Sequence, residues 1–349
     1  MSVQQAMPTG RTAIAAGRRR RALRHRLICG ALALLVLVLL AVSLMVGDTF
    51  YTPSEVVRTI LGQTVPGASF TVGELRLPRA ELGALAGAAF GLSGITFQTM
   101  LRNPLAAPDV IGISSGAGAA AVVSIVLLEL DGPTTSVVAI AAALLTAGLI
   151  YLLAYRDGVA GTRLILIGIG IAAMLDSVVS YVLLQAASYD LQTAMRWLTG
   201  SLNGATSDQV LPLLLAVLVL GTVLLSREHD LGLLRLGDES AAGLGVRVER
   251  TRVVVIVAAV GLIAFATATT GPIAFVAFLA GPIAARIVGG GGSLMVPSAL
   301  VGAALVLGAD LIGQFGFGTR YPVGVVTGVL GAPYLVYLLI RTNRAGGSL

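Results

Sequence analysis

Long apolar runs broken by short polar segments make up the chain from Leu27 onward. A hydrocarbon core about 30 Å thick takes roughly 20 apolar residues of helix to cross. On that measure the runs predict ten spans, over 27–47, 80–100, 112–130, 134–154, 163–185, 209–226, 252–270, 273–288, 294–313 and 323–341. Three of the polar breaks carry structure of their own. In 48–78 the stretch TPSEVVRTI reads as a capped helix, because Thr52 or Ser54 can accept backbone N–H bonds and Pro53 suits a first turn. Residues 189–200 read as a short outer helix whose Trp197 suits a membrane interface. The longest inner loop, 227–250, mixes many charges with Leu and Ala, and a partner is expected there.

Composition agrees with lipid as the main solvent. The chain is 56% hydrophobic and 11% charged over 349 residues, too little charge to cover a water-soluble globule of that size. All 23 basic residues are arginine. If the first span runs outward and the rest alternate, 18 arginines fall inside, and five (Arg58, Arg76, Arg79, Arg196 and Arg320) fall outside. That asymmetry is what the positive-inside rule requires of ten spans with both ends inside. The expected fold class is therefore an all-α polytopic membrane protein. Residues 1–26 form an arginine-rich cytoplasmic tail, 27–341 the ten-helix domain and 342–349 a second cytoplasmic tail. A cleaved signal peptide is the rival reading of the start, but its apolar core would run about 7–15 residues and would be followed by a small-residue cleavage site.

Several chemistries are excluded. Without lysine there is no phosphate-binding loop of the G-x-x-x-x-G-K-[ST] kind, so ATP hydrolysis must come from another chain. The single cysteine, Cys29, allows no disulfide within the chain. His25 and His229 lie far apart in sequence with no metal-ligand spacing, and no serine sits in a G-x-S-x-G elbow. The arginine cluster beside the first span reads as a topology signal rather than a nucleic-acid patch.

Marks of transport are better. Pro104, Pro108, Pro272, Pro282 and Pro322 interrupt apolar stretches, either as breaks inside the membrane or as punctuation between spans. Gly83, Gly87 and Gly91 recur at four-residue steps, a spacing that lets helix backbones approach closely. Asp176 lies midway along the fifth span, where it either lines a path or is bonded within a packed face. Asp310, nearer the outer end of its span, reads as structural. A secondary transporter would need paired titratable groups within spans, and beyond these two the spans offer little.

Five segments together resemble the FecCD/BtuC-type permease family of binding-protein-dependent importers for ferric siderophores, haem and cobalamin. They are RLPR at 76–79, GLSGITFQTMLRNPLAAPDVIGISSGAG at 91–118, LGDESAAGLGV at 236–246, GPIAFVAFLAGPIAARIVG at 271–289 and YPVGVVTGVLGAPYLVYLL at 321–339. The resemblance implies a type II ABC importer permease in the bacterial cytoplasmic membrane. It further implies a homo- or heterodimer of permease subunits around one path lined mainly by the fifth and tenth spans. The partners would be a cytoplasmic ATPase dimer, which uses ATP and Mg, and an extracytoplasmic siderophore-binding protein; this chain itself would bind no cofactor. Ferric siderophore is the expected cargo, with haem and cobalamin behind it.

The resemblance also assigns residues. Leu236, Gly237, Asp238, Glu239, Ala241, Ala242, Leu244 and Gly245 match the segment that couples to the ATPase, with Asp238 and Glu239 expected to start its helix against the positive end. Arg76 and Arg79 match outer arginines that pair with carboxylates on the binding protein. The family commonly has Glu-Leu before the last outer proline, where this chain has Arg320 and Tyr321, and an arginine expected after the ninth span is replaced by Gln314 nearby. Arg320 is therefore expected to join the docking set.

Overall fold

The computed structural model describes residues 10–108, 111–130, 132–155, 161–289 and 292–346. Fifteen α-helices and one π-helical turn follow one another in chain order, and no strand occurs among the described residues. Helix α1 (Gly10–Met45) runs unbroken from the arginine-rich segment through the first expected span, so most of the expected tail is helix. After it, α2 (Pro53–Ile60) is capped as the sequence predicts: Thr52 and Glu55 form a capping box and Pro53 takes the first turn. Helix α3 (Ala68–Phe70) passes through a π-helical turn, Thr71–Arg76, straight into α4 (Leu77–Met100).

The remaining spans are α5 (Ile113–Val126), α6 (Gly132–Ala154), α7 (Gly161–Gln185), and, after the short outer helix α8 (Ser188–Thr199), α9 (Ser207–Ser226). Two short helices, α10 (Glu228–Leu234) and α11 (Asp238–Gly243), occupy the expected coupling loop. They lead to α12 (Val248–Thr270), α13 (Val276–Val288), α14 (Met295–Phe315) and α15 (Val323–Gly346).

Seven of these helices are long and apolar enough to cross a membrane, and three shorter apolar helices, at 113–126, 276–288 and 323–338, stand at the other three expected spans. The first two of the three are about 20 Å long, against a hydrocarbon core of about 30 Å. Extended or turning backbone precedes each, and much of it is buried: Ala106, Ala107, Ile111 and Ile273 are almost fully enclosed. Irregular backbone at membrane depth is stable only when protein covers it, as it does here. Of the five prolines, Pro104, Pro108, Pro272 and Pro322 lie outside helices, whereas Pro282 lies within α13.

The core is built around α4, which packs against α14, α12, α13 and α9. The glycine pattern explains the closeness. A Cβ on Gly87 would strike the Gly302 carbonyl and the Ala303 Cα at 2.7 Å, one on Gly91 the Ser298 carbonyl, and one on Gly94 the Ala277 backbone. Leu82, Phe90, Leu262 and Ile263 fill the space around these contacts and are fully buried. Helices α1 and α7, by contrast, expose most of their surface.

Candidate functional site

At the inner end, α11 presents the expected coupling segment. Gly237 begins it with φ of 104°, a left-handed conformation that a side chain would strain, and no side chain caps the helix. Asp238 and Glu239 stand in the first turn of α11, as expected, and Asp238 has further partners. Asp238 accepts a bond from Arg252 at 2.9 Å and lies 3.6 Å from Arg102, while Arg252 also binds Glu249 at 3.0 Å. Arg252 is buried at the start of α12 and Arg102 follows the end of α4, so Asp238 ties the loop to two core helices. Ala241 is fully buried, pinned beneath the loop. Leu236 and Leu244 are exposed to 62% and 61%, and Glu239, Ala242, Gly243 and Gly245 are also exposed. The segment thus divides into an anchored side and a bare, partly apolar side.

At the outer end, Arg76, Arg79 and Arg320 share the wall of one cavity of about 470 Å³ with Asp48, Asp310 and Gln314. Two of the three expected docking arginines are bonded within the chain. Arg76 donates to the carbonyls of Leu44 and Met45, both at 3.0 Å, and of Thr49 at 2.7 Å, which satisfies the orphan acceptors at the end of α1. Its guanidinium also stacks over the Tyr51 ring. Arg79 grips Asp310 with two bonds, at 2.9 and 2.7 Å, and donates to Asn203 at 2.6 Å. Gln314 donates to the same carboxylate at 2.7 Å, so Asp310 is structural as its position suggests. Only Arg320 stays largely exposed, at 61%, beside Asp48 at 2.6 Å.

Asp176 occupies an exposed position on α7, with no hydrogen bond or ion pair to its carboxylate among the described residues. The alternative of a carboxylate bonded within a packed face is not what the structure shows. An unpaired carboxylate in hydrocarbon costs about 2.5 kcal/mol or more, so this face must meet water or another subunit. Trp197, near the end of α8, lies where the chain turns toward α9, and its carbonyl is approached closely by Gly271. Sequence reasoning missed the Arg252–Asp238–Arg102 cluster; three charges flanking an inner loop were visible, but their convergence depends on how α4 and α12 pack.

A helical bundle with breaks buried at membrane depth, an anchored loop at one end and a polar cavity at the other is the arrangement of a membrane permease, and comparison with known proteins narrows it to the ABC importers. The protein-family model for the FecCD transport family matches residues 34–341. The chain is 40% identical to the ferric enterobactin transport system permease FepG of Escherichia coli K12 over 295 residues, covering 83% of this chain and 88% of that one. It is 38% identical to the achromobactin transport system permease CbrC of Dickeya dadantii over 315 residues, 89% of this chain and 90% of the other. Its fold matches that of a metal-chelate type ABC transporter in an inward-facing conformation, with a TM-score of 0.81 and 26% identity over 90% of this chain and 99% of that one. The chain belongs to the FecCD transport family.

Proposed function

We propose that this chain is the permease subunit of an importer for a ferric siderophore, paired with a second permease subunit across the membrane path. The observation that carries the coupling half of this reading is the division of α11: Asp238 is held by Arg252 and Arg102, while Leu236, Ala242 and Leu244 are left bare. A bare apolar turn held firmly at its base suits a cleft on a cytoplasmic ATPase, which would supply the hydrolysis that a chain without lysine lacks. The relatives that carry ferric enterobactin and achromobactin support siderophore as cargo. Arg320 and the outer cavity are the surface for a siderophore-binding protein, and the arginine distribution supports a reading with both termini in the cytoplasm. Reconstitution in liposomes with the ATPase and a siderophore-binding protein tests the reading. ATP-dependent uptake of a ferric chelate is expected, and it should vanish when residues 238–245 are deleted. Uptake that survives the deletion refutes the coupling assignment, and uptake of haem or cobalamin in place of any ferric chelate refutes the cargo.

A further inference from the structure

Asp176 is the only acidic or basic residue in α7 after Arg163. Counting 1.5 Å per residue along the apolar helix Thr162–Gln185, it sits about 4 Å from the midpoint. Gly170, Ala173, Ser177 and Ser180 are exposed with it, and at 100° per residue the five fall on one face about 120° wide, which the exposed Ile169, Leu166 and Leu184 share about two turns or more from the carboxylate. The two serine hydroxyls donate back to the carbonyls of Ala173 and Asp176, each at 2.8 Å, and leave the carboxylate without a partner. The opposite side of α7 packs on α5, with Leu164 and Val182 buried and Gly168 against the Ile111 backbone.

We infer that Asp176 is a charge filter in a water-filled path, and that it favours neutral and cationic iron chelates over anionic ones. The choice of iron chelates rests on the proposed siderophore function; the filter itself rests on the α7 face. A mid-membrane carboxylate with no countercharge is stable where water reaches it, and the small Ala173, Ser177 and Ser180 beside it leave room for that water. A fixed negative charge in a confined aqueous space concentrates cations and repels anions. Even at the dielectric of bulk water, a unit charge about 6 Å away changes the local concentration of a monovalent ion about threefold. The ratio of cation to anion then changes about tenfold, and more so where low-dielectric walls confine the field.

The test reads this field without reference to cargo. Full-length permease carrying Ser180→Cys and Cys29→Ser, assembled in membranes, is treated with a cationic and an anionic methanethiosulfonate of similar size. The cationic-to-anionic rate ratio is expected to exceed that of a free thiol about tenfold, and Asp176→Asn should bring it close to the free-thiol value. An unreactive thiol, or a ratio unmoved by Asp176→Asn, overturns the filter. A second arm measures ATP-driven uptake of a cationic and an anionic ferric chelate with the partner proteins present. Asp176→Asn should lower the cationic-to-anionic uptake ratio several-fold, and wild-type uptake restricted to the anionic chelate overturns the stated preference. If the labelling ratio responds while no ferric chelate is taken up, the siderophore reading fails and the filter stands.

Discussion

Arg79 and Asp310 join the outer ends of α4 and α14 through two parallel hydrogen bonds, at 2.9 and 2.7 Å, with the carboxylate almost entirely buried. Removing one partner leaves the other charged, enclosed and unpaired, which costs about 3–5 kcal/mol. Arg79→Ala and Asp310→Ala are each expected to lower the melting temperature of the purified permease and its yield in membranes. The double substitution Arg79→Leu with Asp310→Leu should recover most of that loss. Thermal unfolding in detergent, followed by size-exclusion or fluorescence, checks both statements.

Close helix approach at α4 gives a contrast within one sequence. Gly91→Val forces a side chain into the Ser298 carbonyl, and overpacking of this kind costs about 1–3 kcal/mol. Gly30→Ala in α1 meets nothing within 4 Å and is expected to be neutral or slightly stabilising. Expression and thermal stability of the two variants, measured side by side, separate packing from any general cost of losing glycine.

Coupling should depend on the anchor of α11 more than on its charge. Arg252→Gln removes the buried hold on Asp238 and Glu249 while leaving the exposed leucines in place. Uptake in the reconstituted system is expected to fall more than tenfold, with membrane levels within about twofold of wild type. Retained uptake would show that the loop needs no brace.

The exposed Arg320–Asp48 pair is worth little to the fold, since surface ion pairs contribute about 0–1 kcal/mol. Its value lies in steering an encounter, which is salt-dependent. Arg320→Glu is expected to slow binding-protein association several-fold in low salt and to have much less effect in about 0.5 M salt. Surface plasmon resonance across a salt series measures this directly.

Acid should loosen α2 before the bundle. Bonds from the Thr52 backbone N–H and hydroxyl hold the Glu55 carboxyl below its usual range. A carboxyl whose folded value is depressed stabilises the fold above its unfolded value, and that contribution is lost as pH falls through the folded value. Protection of the amides at residues 53–60, relative to their intrinsic exchange rates, should therefore fall on acidification below the usual glutamate range, and Thr52→Ala, which keeps the backbone N–H but loses the hydroxyl, should weaken that pH dependence.

Much of the fold was legible because apolar run length, arginine sidedness and glycine spacing are local properties. Ten apolar helices follow from the runs, and a cap at Thr52 or Ser54 follows from adjacent letters, to which the structure adds the reciprocal bond to Glu55. The shortening of α5 and α13 was not legible: apolar residues in buried irregular backbone look the same as apolar residues in helix, and only tertiary cover decides between them. The site was legible as a set of residues but not as a set of bonds. Arg76 and Arg79 read as surface charges until the carbonyls at the end of α1 and Asp310, 231 positions away, are brought beside them.

The contacts of Gly87 with Gly302 and of Gly91 with Ser298 leave no layer of side chains between α4 and α14 at those two levels. A joint without such a layer has nothing to compress or shear, so the two helices transmit a push as a single strut. Arg102 links the inner end of that strut to Asp238, and Arg79 bolts its outer end to Asp310. A displacement applied at the loop that holds Asp238 would therefore arrive at the opposite end of the bundle with little lost motion.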